Sequence, residues 1–253
     1  MNLAHVNRYQ ACAWHLLASL GVAVLSALLV FELWYPGALA SASGVDNIYW
    51  LLLLVDIVLG PVITLIIFNP KKKELNRDLA MVVAVQLGAL FYGLNAVYSA
   101  RPVYVIFSID RFDLVFAKDF SEEKLLTAVK PDYQSLPIFG PEVIAARLPD
   151  DNKERTKLLF SSISGGEDLH LLPQYYQPYS ELKAEAIKRS QPLEALKKFN
   201  HDKLAIIDTL LANYTEKKIT PSYLALKGIV KDLTVIIDHE SGELLEWVDL
   251  KPW

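Results

Sequence analysis

Three long apolar runs open the chain, and a shorter-period alternation takes over after residue 100. A helix rises ~1.5 Å per residue, so crossing ~30 Å of hydrocarbon takes about 20 apolar residues. The runs extend from about Trp14 to Tyr35, Ile48 to Phe68 and Leu79 to Tyr98. Trp14, Trp34, Tyr35, Tyr49, Trp50 and Tyr98 lie near their ends, the depth that amphipathic rings favour. The pattern predicts a three-helix transmembrane bundle within residues 1–100 (helices at about 14–35, 48–68 and 79–98). Ala38-Leu39-Ala40 resembles a signal cleavage site. The run before it is longer than the apolar core of a signal peptide, and only Arg8 precedes it, so a retained span is expected.

From residue 101 onward strand-like and helix-like segments mix. Val103–Ile109 is β-branched and aromatic, Asp110-Arg111-Phe112-Asp113 breaks it, and Leu114–Ala117 reads as a second strand. Ser121 can cap a short helix. Pro131–Pro149 reads as loop with one strand near Val143–Ala145. Asp150 or Asp151 can cap a helix ended by Gly165-Gly166, and Ser180 can cap another. Pro192 can open a helix, and His201-Asp202 can cap the next. The end reads as strands YLALKG and LTVIID, a turn at His239–Gly242, and ELLEWVDL. The expected fold class is an α+β membrane protein: the three-helix transmembrane bundle, then a mixed α+β periplasmic domain over 101–253.

Charge sets the orientation. Hydrophobic residues make up 53% of the chain and the formal net charge is −4. The first 100 residues hold five basic and five acidic groups, so the deficit falls on the remainder. An acidic domain argues against nucleic acid as a partner. The loop Asn69–Arg77 holds Lys71, Lys72, Lys73 and Arg77, whereas Pro36–Asn47 has no Lys or Arg. Basic short loops stay in the cytoplasm. The N-terminus is therefore expected inside, and residues beyond about 101 in the periplasm of a bacterial inner membrane. The single cysteine, Cys12, reads as an inert thiol.

Asp56 is the polar anomaly of the spans. A carboxylate near a helix centre costs about 2.5–3.5 kcal/mol and usually faces a partner. From the span midpoints at ~1.5 Å per residue, Ser26 and Tyr92 lie at similar depth and Gln86 somewhat deeper, which makes all three candidate partners. Pro61 should kink the second span, and Gly60, Gly88 and Gly93 permit close helix approach. The periplasmic part carries no metal-spaced histidine pair, nucleophile elbow or phosphate loop, so no catalytic residue, metal or cofactor is expected. Asp110–Asp113 reads as a local ion pair at a strand end, and Tyr175, Tyr176 and Tyr179 as loop packing or a contact patch.

The motifs then resemble a known family. Asp56-Ile-Val-Leu-Gly60-Pro61, Thr64-Leu-Ile-Ile-Phe-Asn-Pro-Lys-Lys72, Gln86-Leu-Gly-Ala-Leu-Phe-Tyr92-Gly93, Arg101-Pro102-Val-Tyr104 and Asp110-Arg111-Phe112 run in the order and spacing of the TfpX/TfpZ family of type IV pilin accessory proteins. The resemblance covers about residues 45–120. It implies an inner-membrane factor that binds the major type IV pilin and promotes pilus assembly or surface piliation, alongside other inner-membrane pilus assembly proteins, with no inherited enzyme activity. Asp56, Gly60, Pro61, Gln86 and Tyr92 become candidate contacts for the pilin helix. Arg101, Pro102, Asp110 and Arg111 form a membrane-proximal motif. The competing readings are a membrane-bound enzyme modifying pilin or lipid, such as a glycosyltransferase, and a proton relay through Asp56.

Overall fold

The computed structural model describes residues 6–253. They divide into two compact units, one of residues up to 33 with 45–99, the other of 34–44 with 100–253.

The first unit is helical. Helix α1 (Arg8–Leu28) begins ahead of its apolar run because Asn7 caps it: Gln10 N donates to Asn7 Oδ1, and the Gln10 side chain accepts from Asn7 N in return. Such a reciprocal box satisfies two otherwise orphaned donors. A π-helical turn follows over Leu29–Trp34. After a short helix α2 (Leu39–Ser43), α3 (Val45–Ile67) runs on through Pro61, and α4 (Leu75–Ser99) completes the set. The segments Arg8–Trp34, Val45–Ile67 and Leu75–Ser99 are each long and apolar enough to cross a membrane. Helix α3 packs along both α1 and α4, whereas α1 and α4 share few direct contacts. The three therefore leave a trough between α1 and α4 with α3 as its floor.

The second unit is a mixed sheet. Strands β1 (Pro102–Ser108), β2 (Arg111–Phe116), β3 (Glu142–Ala146), β4 (Tyr176–Pro178), β5 (Gln191–Pro192), β6 (Pro221–Lys227), β7 (Leu233–Asp238) and β8 (Leu244–Val248) lie in the order β4-β3-β1-β2-β6-β7-β8, with β5 beside β6. The pairs β1–β3 and β2–β6 are parallel, and β6–β7–β8 is an antiparallel meander. Pro102 stands first in β1, a position that needs no ladder donor. Side chains alternate across the sheet, so Val105, Phe107, Phe112, Leu114, Leu226, Val235 and Ile237 share one face. Tyr104, Ile106, Val115, Ile144 and Ala146 point to the other. Both faces are covered, which is why all seven residues of β1 are buried.

The cover on the first face includes Leu39 and Ala42 of α2, both fully buried in the core cluster. Val230 N donates to Ala42 O, and Trp247 Nε1 donates to Pro36 O. Gly44 ends α2 at φ +76, with Val230 packed where a Cβ would stand. The segment between the first two spans is thus part of the sheet domain. A chain with three spans puts 34–44 and 100–253 on one side of a bilayer, as this joint core requires. On the second face, helix α8 (Leu204–Glu216) and the 3₁₀ turn Leu193–Lys198 cover β6 and β7 through Ile207, Tyr214 and Leu196. Asn200 pins the C-terminal end, accepting from Lys251 N and donating to Lys251 O.

Several local expectations hold. Ser121 caps α5 (Glu122–Leu125), and Asp151 caps α6 (Asn152–Ile163), with Gly165 following at φ +84. Others change. Strand β2 starts at Arg111 rather than Leu114, because the chain reverses in a single step: Asp110 N donates to Ser108 O across Ile109 at φ +60. That γ-turn strains a β-branched residue. Ser180 does not cap a helix. Tyr179 is drawn into the core as the first residue of a 3₁₀ turn, and α7 (Lys183–Arg189) starts later. Pro192 pairs in β5 and leads into a 3₁₀ helix rather than an α-helix (Leu193–Lys198), and α8 begins behind Lys203 without a side-chain cap, so His201 does not cap it.

Candidate functional site

The trough of the helical unit gathers most of its polar groups into one network. His15 on α1 has Nδ1 2.6 Å from Thr64 Oγ1 on α3 and Nε2 2.8 Å from Gln86 Oε1 on α4. The Gln86 amide also donates to the backbone carbonyl of Asp56 at 3.1 Å. Those bonds decide the protonation pattern. Gln86 Nε2 points to a carbonyl, so its Oε1 faces His15 and can only accept. His15 Nε2 must carry the proton, which in a neutral ring leaves Nδ1 to accept from Thr64. One histidine thereby ties three helices together.

Gly60 makes this possible. A Cβ there would stand 2.0 Å from Gln86 Nε2, so glycine alone lets the amide lie against α3. Gly93 is equally close to Leu52, whereas Gly88 has open space around it. Of the three glycines expected to permit helix approach, two do. Pro61 and Thr64 are buried beside Gly60.

Asp56 borders two cavities. One, of about 120 Å³, lies between the three helices and is lined among others by His15, Ser19, Leu53, Asp56, Gln86 and Leu87. The other, of about 210 Å³, lies between α3 and α4 around Gly60 and Gln86. Asp56 Oδ2 is enclosed and has no hydrogen-bond partner among the described residues. Of its three expected partners, Gln86 reaches only its backbone. Ser26 is instead buried against Tyr49, its Oγ 2.6 Å from the phenol oxygen. Tyr92 is 80% exposed and belongs to neither cavity. The network-forming residue that sequence reasoning missed is His15. Its signal was available: an ionisable side chain inside an apolar run.

In the sheet domain the remaining candidates separate. Arg101 is buried and donates to Pro137 O at 2.6 Å. Pro102 begins β1, while Asp110 and Arg111 lie past its other end, about 20 Å away at ~3.3 Å per residue. The Arg111–Asp113 ion pair forms at 3.0 Å, with Asp113 buried and also bonded to Ser108 Oγ. His170 Nδ1 approaches the same carboxylate at 3.8 Å. Asp110 is exposed in the turn, so the two carboxylates do not converge. Asp151 is occupied with its helix cap. Tyr176 and Tyr179 are buried, donating to His170 O and Gly242 O, and burial pushes both phenols above their ordinary pKa. They are packing residues rather than a contact patch.

Comparison with known proteins places these features in a family. A family model described as fimbrial assembly protein FimB matches residues 4–44, the first span and the segment that enters the sheet core. The serogroup I fimbrial assembly protein of Dichelobacter nodosus is 33% identical over 181 residues, covering 71% of this chain and 70% of that one. Its serogroup E1 counterpart is 30% identical over 200 residues, covering 78% and 77%. The protein of serogroups C1 and C2 is 36% identical over 113 residues, 44% of this chain and 86% of the other. No solved structure matches. With two such relatives matched over more than two thirds of their length, the chain belongs to the fimbrial assembly protein family.

Proposed function

We propose that this chain is an inner-membrane accessory factor of type IV pilus assembly, of the TfpX/TfpZ kind, that binds the major pilin and carries out no catalysis. The observation that carries the reading is the trough between α1 and α4, crossed by the His15–Gln86 hydrogen bond and holding the cavity that Asp56 lines. A subunit held in the membrane by one apolar helix is the partner such a trough suits, because a helix is the one single-segment structure that crosses hydrocarbon with its backbone satisfied.

The orientation in this reading follows the lysine cluster at 71–73: N-terminus inside, residues 34–44 and 100–253 in the periplasm. There the sheet domain would meet the soluble head of the same pilin.

Purification of the intact protein from detergent-solubilised fimbriate cells tests this. The major pilin is expected to co-purify in near-stoichiometric amount. A preparation free of pilin, from membranes rich in it, would overturn the reading.

A further inference from the structure

Among the described residues, the trough holds an enclosed polar atom that has no hydrogen-bond partner. His15 spends both ring nitrogens on Thr64 and Gln86, and Gln86 spends both ends of its amide on His15 and the Asp56 carbonyl. Asp56 Oδ2 is enclosed and unbonded among the described residues, although a carboxyl at membrane depth is costly and normally faces a partner. The 120 Å³ cavity beside it is otherwise lined mainly by small or apolar side chains: Ala18, Ala23, Leu53 and Leu90. It is large enough for several water-sized groups, and so for the charged end of a long side chain.

We infer that Asp56 is the docking point for a cationic group carried on a partner's transmembrane helix. The helix lies in the trough and its ammonium or guanidinium end enters the cavity to pair with Oδ2. Charge complementarity selects a cation: acidic and basic side chains at membrane depth pair with one another, and a charge-assisted bond is stronger than one to a neutral donor. His15 and Gln86, held by their bonds to Thr64, to each other and to the Asp56 carbonyl, position the floor. This rests on the trough receiving a helix, as proposed above, and adds the chemistry of what that helix brings.

The test uses the full-length protein in phosphatidylcholine vesicles. Its probe is a synthetic leucine–alanine helix of about 21 residues, carrying one lysine at the depth of Asp56, or norleucine in its place, or asparagine. Association is read by energy transfer to a label on the protein. The lysine peptide is expected to bind at least ten-fold more tightly than the norleucine peptide. That preference should vanish in both Asp56→Asn and Asp56→Leu, the first keeping shape and polarity should the second disturb the bundle. Equal binding of the three peptides to the unaltered protein overturns the inference, as does asparagine matching lysine or a preference that survives both substitutions. Co-purification of pilin alongside indifferent peptides would leave the accessory role standing and remove only the cation. A lysine preference with no pilin retained would do the reverse.

Discussion

Replacing Leu39 with alanine is expected to destabilise the sheet domain by about 2–5 kcal/mol, the range for removing a fully buried leucine. In sequence, Leu39 sits in a short connection between two membrane spans, where a substitution would ordinarily change stability by less than ~0.5 kcal/mol. In the structure it is fully buried against Val105, Phe107, Phe112 and their neighbours. Three features fix it there. The Val230–Ala42 and Trp247–Pro36 hydrogen bonds hold the segment at both ends, and Gly44 closes α2 in a left-handed conformation. Against a typical total of about 5–15 kcal/mol, the loss is large. Denaturant unfolding of the detergent-solubilised protein, followed by tryptophan fluorescence, measures it. A shift under ~0.5 kcal/mol would mean that 34–44 is no part of the core.

Replacing Gly60 with leucine should open the helical unit. Its Cβ would fall on the Gln86 amide, and the remaining carbons have no room while α3 and α4 stay close. Gln86 must leave, so the His15–Gln86 and Gln86–Asp56 bonds are lost together. Interhelical hydrogen bonds in bilayers contribute roughly 0.6–2 kcal/mol each, and the lost close packing adds to that. Interaxial distance follows the size of the side chains at the contact, within about 8–10 Å. Spin labels on α3 and α4 should therefore report a separation wider by roughly 2 Å. Gly88→Ala is the matched control, since nothing lies within 4 Å of a Cβ there. If both variants give the unaltered distance, Gly60 does not set the approach of the helices.

How much of this was legible beforehand follows from the range of each interaction. The three spans were, because a run of apolar residues is a local property that a bilayer reads directly. So were the meander β6–β7–β8 and the caps at Ser121 and Asp151, whose determinants lie within a few residues. The partners of His15 were not, because they lie 49 and 71 residues away and only the packed bundle brings them together. Leu39 was hidden for a different reason. A single apolar residue among alanines and serines has no periodicity to reveal a buried face, and the sheet it fills begins more than sixty residues later. The start of β2 was misread because Asp110–Asp113 has the composition of a turn. There Asp113 is buried and neutralised by Arg111, so two charged residues sit within a strand. Asp56 and Gly60 were visible as anomalies, but only the structure separates their tasks: the glycine admits Gln86, and the carboxyl is left facing a cavity.

A pilin helix seated between α1 and α4 can be caught in place. A photoreactive residue at Ser19 or Leu87, both lining the cavity beside Asp56, should crosslink to the major pilin in intact cells. One at Leu51, exposed on α3 and outside both cavities, should not. Pilin adducts from the first two positions alone are the predicted result. Adducts absent from Ser19 and Leu87, or equally abundant from Leu51, would contradict a helix docked in that trough.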